Sequence, residues 1–233
     1  DIKIAVKAGK TLTYTGAAIS LGANKLALTG GAASWSTFSN TNALLLDNAD
    51  SILRVLNHVT VGPVSVNVAS NENMGLKVLN SSAISSLTVA ADTYLKINDS
   101  KTFSGATEIA EDTTLILRDT GTFGSTLNLK GTLQAIANLE VSGLISVGGD
   151  SAISIPSADI TLTYSGGDLD IGANTLSIEG AGTLSNSSDS ALVLDVADSI
   201  LDLTGSGTVS GPVKLESGTL KSSGSPTISG AIT

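Results

Sequence analysis

The sequence predicts an all-β protein: a single-stranded parallel β-helix, or β-solenoid, of about nine to ten coils. Three observations predict it. Aliphatic residues alternate with Ser, Thr, Asp or Asn over short runs, the runs recur about every eight residues, and a block of about 150 residues is duplicated. Residues 1–233 are expected to form one solenoid domain.

Alternation is visible from the start, in Asp1-Ile2-Lys3-Ile4-Ala5-Val6, and continues at Leu26 with Leu28, Leu115 with Leu117, and Leu127 with Leu129. A period of two puts the aliphatic side chains on one face of a strand and the polar ones on the other. Residues 131–143 come nearest to a helix, but Leu133, Ala135, Ala137, Leu139 and Val141 also alternate, and a strand is expected there. From Leu162 the anchors are Leu176, Leu184, Leu192, Ile200, Val209, Leu220 and Ile228, with Leu192, Leu194 and Val196 alternating strictly and Ile200 and Leu203 one slip apart. Gly22-Ala23-Asn24, Gly30-Gly31, Gly148-Gly149, Gly166-Gly167 and Gly172-Ala173-Asn174 punctuate these runs. Gly and Asn tolerate positive φ, which allows sharp corners. Asn-Gly and Asp-Gly hairpin dipeptides do not occur, and this favours a coiled ribbon over antiparallel hairpins. Three strands of about eight residues make a coil of about 24, a length typical of solenoid repeats.

The duplication is explicit. Residues 11–30 and 161–180 share ten identities in twenty, and 43–53 and 191–201 share nine in eleven. Gly62-Pro63-Val64 recurs as Gly211-Pro212-Val213, so that 11–64 resembles 161–213.

Composition narrows the function. The chain is 41% hydrophobic, 14% charged and 3% aromatic, with 12 basic and 21 acidic residues for a net charge of −9. Few aromatics suit a thin aliphatic interior that excludes Trp and Phe. The basic residues, including Arg54 and Arg118, are scattered among acids along the sequence and give no footprint for nucleic acid or anionic lipid. No apolar run approaches a membrane span, so no membrane insertion is expected. The absence of cysteine rules out thiolate metal sites and thiol nucleophiles, and leans toward an exported protein. The first residue is Asp1, as expected of a mature product or of a piece of something longer. The glycosylation-type triplets at Asn80, Asn98 and Asn186 are given no weight in so Ser- and Thr-rich a chain.

Stretches such as GANTLSIEGAGTLSNSS (172–188) and SGPVKLESGTLKSSGSPTISGAI (210–232) resemble the passenger regions of bacterial autotransporters and filamentous surface adhesins. The resemblance is one of style across nearly the whole chain. It implies an exported, surface-attached or filament-building rod on a right-handed parallel β-helix.

Candidate chemistry is sparse. Asp168 with Asp170, Asp195 with Asp198 and Asp202, and Asp47 with Asp50 are the carboxylate groupings a polysaccharide lyase or hydrolase would need. Asp168 and Asp170 are replaced by Ala18 and Ser20 in the first copy, while Asp47 and Asp50 sit at strand exits, where Asp stabilises turns. A carbohydrate site would also want clustered aromatics, and Tyr14 and Tyr164 are single equivalents. His58 is the only histidine, and it has neither Cys nor a second His to join it in a metal site. Gly166-Gly167-Asp168-Leu169-Asp170 resembles a calcium nonapeptide without tandem copies. Thr11-Leu12-Thr13 and Thr161-Leu162-Thr163 would suit an ice-binding Thr array, but they are read as recurring once per 150 residues and not once per coil.

The expectation is therefore an extracellular structural or adhesive rod of a bacterial surface protein, without catalytic, cofactor or metal residues, able to stack head to tail. Its expected partners are other copies of itself and a host surface or polysaccharide. The alternatives are a carbohydrate-active β-helix enzyme and a calcium-dependent binding module. The ends carry the stacking idea: alternation runs to the first residues and again through Pro226-Thr227-Ile228-Ser229-Gly230-Ala231-Ile232, and an unpaired strand edge invites another chain.

Overall fold

The computed structural model describes residues 1–31, 34–70, 75–79, 82–97, 102–118 and 121–233. Every described regular element is a strand, and every paired strand runs parallel to its neighbours in a three-faced β-solenoid. The first face is a single eleven-stranded sheet running from Ile2–Ala5 to Thr219–Gly224. The second face comprises a four-stranded sheet (Thr11–Tyr14 to Ala83–Ile84) and a seven-stranded one (Thr102–Phe103 to Thr227–Ile228). The third comprises seven strands (Ile19–Ser20 to Ile145–Val147) and then three (Leu169–Asp170 to Val213–Leu215). Windings are numbered here from the N-terminus by their strand on the first face. Ten register steps separate the first and last of these strands, and at about 4.8 Å per step the rod is about 48 Å long.

Winding length varies. Leu26 pairs with Leu53, 27 residues on, whereas Leu115 pairs with Leu133, 18 residues on. The variation sits in the corners, because register between strands is fixed by which side chains must point inward. Leu26, Leu53, Leu76, Leu95 and Leu117 form one such inward column, each at most 5% exposed. Each buried Leu contributes about 2 kcal/mol of transfer free energy.

Local expectations meet the structure unevenly. Residues 131–143 form the strands Thr132–Ala135 and Leu139–Val141, in agreement with the alternation. The interior does not exclude Phe. Phe38, Phe103 and Phe123 are all buried, and Phe103 stacks on Phe123 in the next winding with ring centroids 5.0 Å apart. Stacking identical rings on adjacent rungs lets a narrow interior hold them. Val196 leaves the core, since its strand ends at Leu194, and Leu201 takes the inward place beside Leu203 while Ile200 is only half-buried.

The duplication is in phase with the winding. Thr11–Tyr14 and Thr161–Tyr164 both lie on the second face, seven windings apart, and Leu44–Leu46 and Leu192–Leu194 both lie on the third. The identities include the residues that build the corners. Ser51 Oγ donates to Gly22 O at 2.6 Å, as Ser199 Oγ does to Gly172 O at 2.6 Å, each tying one winding to the previous one. Gly22 and Gly172 hold φ of 52° and 56°, the left-handed conformation that glycine adopts without steric cost.

Candidate functional site

The acids singled out in the sequence are spread along the rod and not gathered in a cleft. Asp168 Oδ1 accepts from Ala191 N–H at 2.8 Å, and its Oδ2 accepts from Lys214 Nζ at 2.8 Å. The two partners lie one and two windings further along. Asp170 Oδ1 accepts from Gly172 N–H at 2.8 Å, and Asp47 Oδ1 from Gly22 N–H at 2.9 Å. Asp195 and Asp198 lie in the corner after Leu192–Leu194, and Asp202 stands on the first face in register with Ser177 and Lys221.

The bond from the next winding that Asp168 accepts from Ala191 recurs at residues not singled out in the sequence. Asp92 accepts from Thr114 N–H at 2.7 Å, Asn138 from Thr161 N–H at 2.8 Å and Asp150 from Thr175 N–H at 2.8 Å. In each case an Asx oxygen at a corner takes an N–H that the next winding presents there, and so satisfies a donor that the strand ladder leaves over. Asp or Asn just before a strand was the available signal, but the partner lies more than twenty residues away, beyond any local reading.

These bonds favour the ionised carboxylate. Lys214 first, and the Ala191 N–H next, hold the Asp168 carboxyl below the usual aspartate range. The Ser20 hydroxyl, opposed by partial burial and aided by Gly22 N–H, does the same for Asp47. A carboxyl lowered in the folded state stabilises the fold above the unfolded value of about 3.9 and loses that contribution as pH falls through the lowered value. The melting temperature is therefore expected to drop below about pH 4. In an Asp47→Asn, Asp168→Asn chain that drop is shallower. An equally steep drop in the double variant would assign acid lability to other groups.

His58 holds a left-handed backbone, φ 57°, after Asn57 at φ 57°, and its ring meets Trp35 edge-on at 5.8 Å. It is a corner residue. Among the described residues no group of three His, Cys, Asp or Glu is placed to hold a metal ion. No described helix is long and apolar enough to cross a membrane. Asn80 and Asn98, two of the glycosylation-type positions, lie outside the described residues. The third, Asn186, is buried and donates its side-chain N–H groups to Ser190 O and Pro212 O.

Two arrangements were not legible in the sequence. In windings 8 to 11 Thr does recur once per winding: Thr161, Thr183, Thr208 and Thr227 stack in one column on the second face, beside Thr163, Ser185 and Ser210. The once-per-150 reading fails because the Thr positions shift in sequence as corner lengths change. The charges are also sorted. Asp47, Asp50, Asp92, Glu111, Asp112 and Asp150 lie at the corner that leads from the third face to the first, whereas Lys3, Lys25, Arg54, Lys77, Lys96 and Arg118 lie on or at the edge of the first face in windings 1 to 6.

Compared with known proteins, the chain matches no family model, no curated protein and no solved structure.

Proposed function

We propose that the chain is an extracellular structural or adhesive rod of a bacterial surface protein, able to stack head to tail with further copies of itself. The observation that carries this reading is the contrast between duplicated positions. Leu12 and Tyr14 are 43% and 36% exposed, while Leu162 and Tyr164, the same residues seven windings on, are fully buried. At the inner site the Tyr164 hydroxyl accepts from Ile145 N–H of the winding beneath, at 3.4 Å. The first winding thus has the side chains of an interior winding. Ile2 and Ile232, at 61% and 51% exposure, extend the same feature to both ends of the described rod. Asp47, Asp168 and Asp170 serve as corner bonds, and the unbroken eleven-stranded ladder of the first face supplies stiffness.

Electron microscopy of the purified chain is the test. Rods about 48 Å long, joining end to end as concentration rises, are expected. Leu12→Lys with Tyr14→Lys should abolish joining and leave the melting temperature within a few degrees. Dispersed monomers at every concentration would remove the filament and leave the rod.

The Thr column favours a second reading, ice-surface binding, because its rung spacing is close to an oxygen repeat of ice. Inhibition of ice recrystallisation that is lost on Thr183→Lys would support it, and its absence in the unaltered chain would dismiss it.

A further inference from the structure

Four cations of the first face are arranged unlike Lys130 and Lys214. Lys130 is paired with Glu108 at 2.9 Å and Lys214 with Asp168 at 2.8 Å, each across windings. On the first face, Arg54 stands directly opposite Lys77, and Lys77 opposite Lys96. Arg118 follows Leu117, which is opposite Leu95, and so continues the column, with its guanidinium 5.3 Å above the Tyr94 ring. Four cations therefore follow one another on consecutive rungs about 4.8 Å apart. Like charges directly opposite one another destabilise a sheet. Lys96 and Arg118 have interactions of their own, but among the described residues Arg54 and Lys77 form no ion pair. Burial, then Arg54, Lys96, Arg118 and Lys25, all lower the Lys77 pKa, and no carboxylate among the described residues counters them. Folding thus assembles a straight line of positive charge and leaves its first two members uncompensated.

We propose that this face binds an extended polyanionic polysaccharide, a chain of uronate or sulfated sugars laid along the rod axis with anionic groups over the Arg54, Lys77, Lys96 and Arg118 rungs. The geometry selects the ligand class. One rung is about the length of one sugar ring in an extended chain, so successive sugars meet successive cations. Duplex DNA offers a phosphate about every 1.7 Å of axis on a helical path, which a straight column touches at only a few points. Single-stranded nucleic acid draws its affinity from a row of stacking rings, and this face has Tyr94 alone, already covered by Arg118. The acidic corner alongside, with Asp92, Glu111 and Asp112, repels the same ligand and confines it to the column. Binding is accordingly expected to weaken steeply with salt, in keeping with the net charge of −9. The site requires only the solenoid and not end-to-end joining, so its test and the micrograph test can fail separately.

The experiment titrates the chain with heparin and with polygalacturonate, using neutral dextran, a duplex DNA and an oligo(dT) strand for comparison. Both acidic polysaccharides should bind, and dextran should not. Arg54→Gln with Lys77→Gln should weaken binding on the order of tenfold, as the loss of one exposed and one half-buried charge pair would, with a melting temperature equal to or above that of the unaltered chain. Lys130→Gln with Lys214→Gln removes the same charge elsewhere and should leave affinity unchanged. Independently of any variant, heparin should protect Lys77 from acetylation and leave Lys130 and Lys214 reactive. The proposal is overturned if neither polysaccharide binds at low salt, if both double variants lose affinity equally, if Lys77 is not protected, or if either nucleic acid binds more tightly than both polysaccharides.

Discussion

Replacing Leu133 with Asp is expected to unfold the whole rod and not one winding. Leu133 is fully buried, and it lies in register between Leu115 below and Ile153 above. An aspartate there places a carboxylate among aliphatic columns with no donor to meet it, at a cost above about 4 kcal/mol, against a typical total stability of about 5–15 kcal/mol. Each winding is capped by its neighbours, so a break in the middle exposes two new apolar cross-sections and propagates. Leu133→Ala, which leaves only a cavity, should cost about 2–5 kcal/mol. Gln134→Asp, on the outward side of the same strand, should change stability by no more than about 0.5 kcal/mol. Far-ultraviolet circular dichroism with urea titration separates the three. A folded Leu133→Asp chain would mean that the interior is wetter or looser than the columns imply.

Gly143→Ala is the second large effect. A Cβ at Gly143 would lie 1.9 Å from Ser125 O and 2.3 Å from Ser125 C, backbone atoms of the previous winding that cannot rotate away. The next winding repeats the constraint, since a Cβ at Gly166 would lie 2.1 Å from Gly143 O. Successive windings approach too closely at this corner for any side chain. The expected cost is about 3 kcal/mol, which for a chain of this size lowers the melting temperature by roughly 6–12 °C. Gly167 gives the contrast. Its φ is 104° and a Cβ there would meet nothing within 4 Å, so Gly167→Ala carries only the conformational penalty of about 1–2 kcal/mol. Equal losses at Gly143 and Gly167 would show that backbone strain, and not close approach of windings, governs the corner.

The parts of this fold that depend on near neighbours were legible in the sequence. Leu26 with Leu28, Leu115 with Leu117 and Leu127 with Leu129 declare strands by alternation alone, and the repeated 11–30 and 161–180 segments declare a periodic object. What depends on the register between windings was not. Asp92 and Asp150 look like ordinary turn residues until Thr114 and Thr175 are seen to donate to them from the next winding. Arg54, Lys77 and Lys96 are 23 and 19 residues apart in the chain, an irregular spacing that gives no hint of a column. The same irregularity hid the Thr column. Corners of unequal length, such as the two residues before Thr132 and the five before Ile52, scramble the sequence spacing while the strands stay in line. A charged or hydroxyl column in a solenoid is therefore a property of paired positions, and sequence distance is a poor guide to it.

The central claim is that windings stack in parallel and in register along one axis, and the absence of cysteine makes it directly measurable. Lys25, Gln134 and Ser223 lie in a single column of the first face, with five windings between the first two and four between the last two. Spin labels on cysteines placed at these sites in pairs should give separations of about 24, 19 and 43 Å by pulsed dipolar spectroscopy, the third equal to the sum of the others. A third distance well short of that sum, as strands folded back in a sandwich or a closed barrel would produce, would contradict the solenoid and everything derived from it.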